Sequence, residues 1–331
     1  SGRWRYVFPE LFGSVKNSFF KQIPKMKHEL CCIGHITLDK VVTPGNTVYM
    51  PGGTSFYVSH ALKRFDDLDY ALVTAVGASE RGVTDELTAL GIRTTVLPSP
   101  YSVYFENIYG DNPDDRTQRV LAKAAPFTVE PLHEVDAGIF HLGALLADDF
   151  PLDTLRYLAG KGLISVDSQG YLREVRDTHV YAVDWTNKHE AFRSIHFLKA
   201  NEQEMEVLTG YKDASRAAKK LCEWGIKEVL LTFGSMGSLI YDGQTFYRIP
   251  AYIPRQVVDP TGCGDTYMAG YLYRRAKGAT IDEAGNFAAA LSTLKIERSG
   301  PVDASMDDVK RVMRENATCM PNIDGGIHSC N

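Results

Sequence analysis

Residues 257–266 read Val257-Val258-Asp259-Pro260-Thr261-Gly262-Cys263-Gly264-Asp265-Thr266, and an apolar run at helical spacing follows them at 267–273. The two glycines beside Cys263 let the backbone bend so that several N–H groups converge on one point. The helix that follows adds the partial positive charge of its N-terminus. This stretch therefore predicts an anion-binding turn between a strand and a helix.

Asp265 is the unexpected residue of this turn, because a carboxylate among amides that bind an anion would compete with the ligand. One interpretation is that Asp265 is a general base, which accepts the proton of a hydroxyl group. The other is that Asp265 is an ordinary N-terminal cap of the helix, a position that aspartate favours. The turn alone leaves both interpretations open.

The composition fits one large α/β domain with a small appendage. The chain has 331 residues, of which 44% are hydrophobic and 23% are charged, so it is long enough to bury a full core. The net charge of -5 gives no basic surface, which argues against nucleic acid and anionic membranes as partners. The six cysteines lack a metal-binding spacing and predict reduced thiols in a cytoplasmic protein.

The chain divides into three predicted parts. They are an N-terminal extension at 1–27, a domain at 28–315 and a C-terminal tail at 316–331. The extension has no apolar signal segment, and no apolar run approaches the roughly 18 residues of a membrane span. Two β-rich segments, at about 40–50 and 93–125, do not alternate with helices, which predicts a small sheet that lies over the pocket as a lid.

The other segments alternate short apolar strands with helical patterns, which predicts a mainly parallel sheet with helices on both faces. Ligands of such sheets bind beyond the carboxyl ends of the strands. Asp39 follows the strand at 30–36 and is therefore either a substrate-binding carboxylate or a solvated turn residue. Gly52 and Gly53 open a helix, where they let the backbone approach a bound hydroxyl.

Two later strands end in polar residues at the same predicted edge. After the first strand, Asp167, Gln169 and Arg173 either form a structural Arg-Asp pair or contact substrate or phosphate. The second strand ends at Asn201, and Glu204 lies one helical turn later on the same side. These two residues suit a hydrated Mg²⁺, but they also form the pattern of an N-terminal capping box.

Two further segments suit a nucleotide. Gly234 and Gly237, which follow Thr232, let the chain pass close to a ribose or phosphate, although a plain hairpin explains the same residues. The helix that contains Asn286 is rich in small residues. Small side chains leave room for a flat base, but close packing of helix on sheet accounts for them equally well.

Together these motifs resemble those of the ribokinase-like (PfkB) carbohydrate kinases. Residues 259–265 are similar to the family's D-T-x-G-A-G-D signature, with Pro260 and Cys263 as the departures. Residues 201–204 match N-x-x-E and residues 52–53 match the family's glycine pair, although Tyr57 stands where the family has asparagine. The resemblance covers about residues 28 to 315, and short strings within it are most similar to the plant myo-inositol kinase branch.

The resemblance implies a ribokinase-like three-layer sandwich with a mainly parallel central sheet and a β-sheet lid. In this family the lid often pairs with that of a second subunit, which implies a homodimer. The implied activity is ATP-dependent phosphorylation of a hydroxyl of a small sugar or polyol, with Mg²⁺ as a cofactor. The resemblance also leaves open a monovalent cation such as K⁺ between Asp259 and the loop at 297–301.

The resemblance implies a role for each matching residue. Asp265 would be the general base, and the backbone N–H groups of Gly262, Cys263 and Gly264 would stabilise the transferred phosphoryl group. The residues implied for the acceptor are Asp39, Gly52, Gly53, Gln169 and Arg173. Asn201 and Glu204 are implied to hold Mg²⁺ through water. The residues implied for the nucleotide are these same two together with Thr232, Gly234, Gly237, Thr261 and Asn286.

Two other functions stay open. The departure at Tyr57 suggests a catalytically silent sugar-binding or regulatory protein on the same scaffold, and a nucleoside is an alternative acceptor. A dinucleotide-dependent oxidoreductase is excluded, because the first strand leads into Gly34-His35-Ile36 and not into G-x-G-x-x-G.

Overall fold

A computed structural model of the chain describes residues 27–111 and 116–321, together with the backbone of 329–330. Nearly all of the predicted N-terminal extension and much of the predicted tail lie outside these residues.

The central sheet has nine strands within the described ranges. In spatial order they are β15 (Phe246–Ile249), β14 (Ser238–Tyr241), β13 (Glu228–Thr232), β12 (Phe197–Asn201), β9 (Leu163–Asp167), β8 (Ala137–Gly143), β1 (His28–Gly34), β4 (Tyr70–Val76) and β5 (Arg93–Pro98). The strands from β13 to β5 run parallel, and β14 and β15 add an antiparallel hairpin at one edge. The apolar runs are buried on both faces, as expected for parallel strands that helices cover.

Helices cover the two faces of this sheet. On one face, α1 (Thr54–Leu62), α2 (Arg81–Ala89), α7 (Cys263–Ala276), α8 (Ile281–Ile296) and α9 (Met306–Glu315) share a core with Leu30 and Cys32. On the other, α3 (Leu152–Ala159), α4 (Lys188–Phe192), α5 (Glu202–Thr209) and α6 (Ala214–Glu223) share a core with Cys31 and Ile33. The split follows from strand geometry, because successive side chains point to opposite faces. The predicted three-layer α/β sandwich is therefore confirmed.

A second sheet lies over one edge and is called the lid sheet here. Within the described residues its strand order is β10 (Arg173–Arg176), β11 (His179–Ala182), β7 (Arg116–Ala122), β6 (Val103–Tyr109), β2 (Thr37–Thr43) and β3 (Asn46–Gly52). The predicted lid segment is wrong for residues 93–98, which form the parallel edge strand β5 of the central sheet. That strand follows helix α2, so it completes a crossover unit and does not join the lid. Strands β10 and β11 were not predicted.

A third sheet joins β16 (Ala251–Tyr252), β17 (Thr318–Met320) and β18 (Ser329–Cys330). The first residues of the predicted tail are therefore part of the folded domain.

Cys31, Cys32, Cys222 and Cys263 are free thiols, but Cys319 on the central strand β17 is disulfide-bonded. The prediction of reduced thiols throughout is wrong at Cys319, because cysteine spacing does not reveal which strands pair. In the described part of the chain, no helix is long and apolar enough to cross a membrane.

Candidate active site

The glycine turn adopts the geometry that its sequence predicts. Helix α7 begins at Cys263, and Gly262 precedes it in the left-handed region at φ 80° and ψ 4°. A Cβ at Gly262 would also overlap the ring of Tyr57, so both the backbone and the contact require glycine here. The Cys263 N–H donates to the carbonyl of Pro260 at 3.1 Å, which occupies one of the three amides predicted to bind the phosphoryl group.

Two of those amides remain available. Across the residues that the structure describes, the N–H groups of Gly262 and Gly264 have no hydrogen-bond partner. Both lie at the N-terminal end of α7, where the helix dipole favours negative charge. The turn can therefore hold an anion through Gly262 and Gly264, whereas Cys263 stabilises the turn itself.

Asp265 lies in the first turn of α7 but does not cap it. The capping position is Gly262, and no side chain there accepts a hydrogen bond. Burial and then the negative charge of Asp167 raise the pKa of Asp265 to about 7, against the opposing effects of Lys199, a Thr54 hydrogen bond and Arg173. A carboxyl group with this pKa exchanges a proton near neutral pH, which suits a general base.

A buried ion pair lies beneath this turn. Lys199 Nζ is 2.9 Å from Asp167 Oδ2, and both side chains are almost fully buried. The pair forms because β9 and β12 are adjacent parallel strands in which Asp167 lies opposite Lys199. The alternative Arg-Asp pair is therefore wrong, since Lys199 is the partner. Burial alone would lower the pKa of Lys199, but the charges of Asp167 and Glu204 outweigh it and raise that pKa.

Lys199 also reaches the anion-binding turn. A Cβ built at Gly264 would be 3.1 Å from Lys199 Nζ, so the ammonium lies directly against the first turn of α7. Neither Lys199 nor Thr54 was among the predicted site residues. The signal for Lys199 was present, because it is the single charged residue within the buried strand β12.

Asp39, Gly52 and Gly53 come together where the lid strands β2 and β3 pair. The Thr37 hydroxyl donates to Asp39 Oδ1 at 2.7 Å, and burial raises the pKa of Asp39 to about 6. A Cβ at Gly52 would overlap Asp39 Oδ2, and one at Gly53 would be 2.7 Å from the carbonyl of His35. The backbone of the glycine pair therefore passes next to a partly buried carboxylate, as a site for a polar ligand requires.

Tyr57 is close both to the glycine turn and to Asp39. It lies on α1, is buried, and packs its ring against Gly262. Burial, with the charges of Asp259, Asp39 and Asp265, raises the pKa of Tyr57, so the phenol stays protonated. The residue that departs from the family pattern thus fills the space between Asp39 and the glycine turn.

A cavity of about 500 Å³ is lined by Cys263 and Gly264, at the start of α7. Thr232, Gly234 and Gly237 line it, as their predicted role requires. Thr261 and Asn286 do not line it: Thr261 is exposed, and Asn286 accepts a hydrogen bond from the Tyr252 hydroxyl at 3.0 Å. Tyr252 itself is a lining residue, and the apolar part of the wall includes Pro250, Ala251, Ile253, Pro254, Val257, Pro260, Ala289, Ile296 and Cys319.

Asn201 and Glu204 form the capping box that was the alternative to a metal site. Asn201 Oδ1 accepts from the Glu204 N–H at 2.9 Å, and Glu204 Oε2 accepts from the Asn201 N–H at 2.8 Å. Both residues also line a cavity of about 590 Å³, together with Gln169 and Arg173. Burial and the charge of Asp167 raise the pKa of Glu204.

Known proteins resemble this chain over most of its length. A sequence profile described as pfkB family carbohydrate kinase matches residues 27–308. The cytidine kinase of Thermococcus kodakarensis is 28% identical over 269 residues, which cover 77% of this chain and 91% of that protein. The nucleoside kinase of Methanocaldococcus jannaschii is 25% identical over 307 residues, which cover 82% of this chain and 91% of that protein.

Solved structures share the fold. A pyrophosphate-dependent kinase in the ribokinase family, complexed with a pyrophosphate analog and myo-inositol, matches with a TM-score of 0.75 and 26% identity, over 85% of this chain and 99% of that one. The Arabidopsis thaliana ribokinase complexed with ribose and ATP matches in fold, with a TM-score of 0.69, 22% identity, and 87% and 99% coverage. The ribokinase-like fold is therefore confirmed, and the chain belongs to the pfkB family of carbohydrate kinases.

Proposed function

We propose that the chain transfers the terminal phosphoryl group of ATP to a hydroxyl of a small sugar or polyol, with Asp265 as the general base. The observation that supports this most directly is the environment of Asp265. Burial raises the pKa of its carboxyl to about 7, and Asp265 lies in the same first turn of α7 as the available amides of Gly262 and Gly264. A proton acceptor next to an anion site is what phosphoryl transfer to an alcohol needs.

The reaction follows from this arrangement. The acceptor hydroxyl loses its proton to Asp265 as its oxygen forms a bond to the terminal phosphorus, and the bond from that phosphorus to the ADP oxygen breaks. The amides of Gly262 and Gly264, with the ammonium of Lys199 behind them, stabilise the negative charge on the transferred group. Cys263 has a supporting role, because its N–H holds the turn.

The donor pocket favours a nucleotide over pyrophosphate. The inositol-bound relative is a pyrophosphate-dependent kinase, and pyrophosphate has no apolar part. This chain instead has a cavity of about 500 Å³ with a mostly apolar wall next to Gly264, and its size and polarity suit a purine base. Thr232, Gly234 and Gly237 would then follow the ribose and phosphates, and Tyr252, which Asn286 supports, would contact the base.

Mg²⁺ fits the Asn201 and Glu204 pair as an ion that keeps its waters. Their oxygens already bond to each other's backbone, so neither side chain is free to surround a metal directly. Both residues nevertheless line an open cavity, and Mg²⁺ usually binds proteins through few ligands and several waters. The described residues contain no cluster of three or more His, Cys, Asp or Glu that suits direct coordination. When bound, Mg²⁺ would neutralise charge on the donor phosphates.

A cyclic polyol is the acceptor that we favour. Asp39 and the backbone of Gly52 and Gly53 would accept and donate hydrogen bonds to several hydroxyls, and Tyr57 would cover an apolar ring face. The inositol-bound relative supports this class, whereas the cytidine and nucleoside kinases support a nucleoside as the alternative. Gln169 and Arg173 line the neighbouring cavity and are the proposed contacts toward the acceptor and the phosphates.

A coupled ADP-release assay tests the function. The purified chain is assayed with ATP and, in parallel, with pyrophosphate through phosphate release, against inositols, ribose, fructose derivatives and nucleosides. We expect ATP with an inositol to give the highest turnover and Asp265→Asn to lower that turnover by about 10² to 10⁴. No product with any acceptor would contradict the kinase and favour the sugar-binding alternative, and turnover with pyrophosphate alone would contradict the donor.

Gly52→Ala is expected to lower kcat/KM for the acceptor by about 10- to 100-fold, because a displaced reactive group costs rate steeply. The new methyl group would overlap Asp39 Oδ2 and push the carboxylate away from the acceptor. The matched control is Gly45→Ala in the lid turn, where an added Cβ meets nothing within 4 Å. Equal losses in the two variants, measured by steady-state kinetics, would remove Asp39 from the acceptor site.

Cys263→Ala is expected to leave kcat within about threefold of the natural enzyme, since a free, half-buried cysteine behaves as a small hydrophobic residue. Its thiol makes only a long contact of 3.9 Å with the carbonyl of Ser292, and its N–H, which alanine keeps, holds the turn. Initial rates with saturating ATP measure this. A loss as large as that of Asp265→Asn would instead assign chemistry to the thiol.

The cytoplasm is the proposed location, on the basis of the free thiols Cys31, Cys32, Cys222 and Cys263; the disulfide at Cys319 is unusual in that compartment.

The lid sheet is the proposed dimer contact. Val48, Tyr49 and Met50 are exposed on the edge strand β3, where a second copy could pair. Sedimentation of the natural chain and of Tyr49→Lys tests the dimer, since a charge there would separate the subunits.

A further inference from the structure

Lys295 is a buried cation that the reaction described above does not use. It lies in the last turn of α8, its side chain is 0% exposed, and it is among the largest fully buried side chains of the described residues. An ammonium group is expensive to remove from water unless acceptors surround it. A buried lysine at this point therefore calls for an explanation of what its charge does.

The acceptors of Lys295 come from the two segments that flank the anion-binding turn. Its Nζ donates to the carbonyl of Asp259 at 3.0 Å and to the carbonyl of Arg298 at 3.2 Å, and Asp259 Oδ2 lies 3.9 Å away. Asp259 begins the segment that leads into Gly262, and Arg298 lies in the loop at 297–301 that follows α8. The ammonium thus joins the turn to the end of α8.

The segment that leads into the turn is also hydrogen-bonded directly to the end of α8. The N–H groups of Val258 and Asp259 both donate to the carbonyl of Ile296, at 2.8 and 3.2 Å. Carbonyl groups at the end of a helix carry partial negative charge, which a cation in the last turn offsets. The positive charge of Lys295 is also close enough to oppose the rise in the pKa of Cys263, which burial causes. The positive charge of Lys295 therefore acts electrostatically on the anion-binding turn.

The position of this ammonium coincides with that of the monovalent cation predicted between Asp259 and the loop at 297–301. Carbonyl and carboxylate oxygens that converge on one unit of positive charge are the environment that K⁺ prefers. Lys295 already supplies that charge to the same oxygens, and a second cation beside it would be repelled strongly in a buried site. The residues present therefore do not fit a free monovalent ion.

We propose that the Lys295 ammonium is a built-in replacement for a monovalent cation, and that it positions the anion-binding turn so that the enzyme needs no K⁺. The inference rests on the proposed phosphoryl transfer only for its activity readout. Lys295 is a positioning residue: it contacts the backbone that leads to Gly262 and does not contact the reacting atoms.

The test uses two variants that remove the charge and differ in the space they leave. Lys295→Ala leaves a cavity between the carbonyls of Asp259 and Arg298 that a K⁺ ion can enter, and Lys295→Met fills most of it with an uncharged chain. Activity and Tm are measured in KCl and in choline chloride at equal ionic strength, with Mg²⁺ constant. Choline is too large to enter the cavity.

The natural enzyme is expected to have the same activity and the same Tm in both salts. In choline chloride both variants should lose activity by about 10- to 100-fold, because the turn is misplaced. In KCl, Lys295→Ala should recover at least about tenfold in activity and gain in Tm, since an ion that binds only the folded state stabilises it. Lys295→Met should recover neither.

Lys277→Met is the matched control, because Lys277 also bonds to a carboxylate, that of Glu29, and to a backbone carbonyl, that of Asp67. It lies just beyond the opposite end of α7 from the turn. Its loss should lower Tm equally in both salts without rescue by KCl. The same rise in Tm on adding KCl in this control would identify a general salt effect and overturn the inference.

Two further results would overturn it. One is K⁺ activation of the natural enzyme, and the other is full activity of Lys295→Met in choline chloride. If no acceptor is phosphorylated in any salt, the proposed function fails, but the Tm comparison still decides the inference. A K⁺-dependent rise in Tm that is confined to Lys295→Ala would support it even then.

Discussion

Asp265→Asn is expected to lower kcat by about 10² to 10⁴, the usual contribution of general-base catalysis. Asparagine keeps the shape of the side chain but cannot accept the proton of the acceptor hydroxyl. The affinity for nucleotide should survive, because the lining residues of the nucleotide cavity do not include Asp265. Steady-state kinetics and nucleotide titration measure the two quantities, and an unchanged kcat would remove Asp265 from the mechanism.

The pH dependence follows from the same carboxyl. Because its pKa is raised to about 7, kcat of the natural enzyme should fall as pH decreases below 7, where Asp265 is protonated. A profile that stays flat to pH 5 would contradict this assignment.

Asp265→Asn is also expected to raise Tm, by an amount that grows with pH. The folded pKa is above the value of about 3.9 for an unfolded aspartate. The stability that the protonated form contributes is therefore fully present below the unfolded pKa, and it is lost as pH rises to and through about 7. Asparagine does not titrate, so the variant does not lose this stability. The amount by which its Tm exceeds that of the natural protein should therefore be larger at pH 8 than at pH 5. Asp85→Asn on the exposed surface of α2 is the control, and its Tm should follow that of the natural protein.

Lys199→Met is expected to lower the free energy of unfolding by about 3–5 kcal/mol, the usual cost of leaving one partner of a buried ion pair without the other. Asp167 would be left without its counterion in a site that is almost fully buried, and its remaining bond, from the Gln169 N–H at 3.1 Å, does not replace the ammonium. Denaturant titration at pH 7 measures the loss. A change below about 1 kcal/mol would mean that water already screens the pair.

A double variant separates the ion pair from the packing around it. In Asp167→Leu/Lys199→Met both charges are gone, so most of the lost stability should return, as it does when buried pairs are replaced by apolar residues. Arg156→Met, which breaks an exposed pair with Glu190, is the control and should change stability by less than about 1 kcal/mol. A double variant as unstable as Lys199→Met would assign the loss to packing.

The same variants report on catalysis. Lys199 lowers the pKa of Asp265 and Asp167 raises it. Lys199→Met should therefore move the acid limb of the pH profile to higher pH, whereas the double variant should move it back toward about 7. This shift is a readout that a loss of stability alone does not produce.

Much of the architecture could be predicted because short segments of the sequence determine it. The apolar runs at 30–33 and 229–231 are buried strands, and the glycine at 262 takes the left-handed conformation that its turn requires. The capping box at Asn201 and Glu204 is also local, since its partners are three residues apart. Periodicity and turn chemistry act over a few residues, and they are visible without any knowledge of the rest of the chain.

The pairings between distant segments could not be predicted in this way. Asp167 and Lys199 are 32 residues apart and meet because two parallel strands are in register, and Lys295 meets Asp259 across 36 residues. Residues 93–98 have a β-rich pattern that suits either sheet, and only their contact with β4 assigns them to the central one. Sequence patterns thus specified which segments are strands, helices and turns, together with the chemistry each segment carries. The partner of each buried charge was settled by packing, because the free energy of a buried charge depends on which neighbours the folded chain brings within a few ångströms of it.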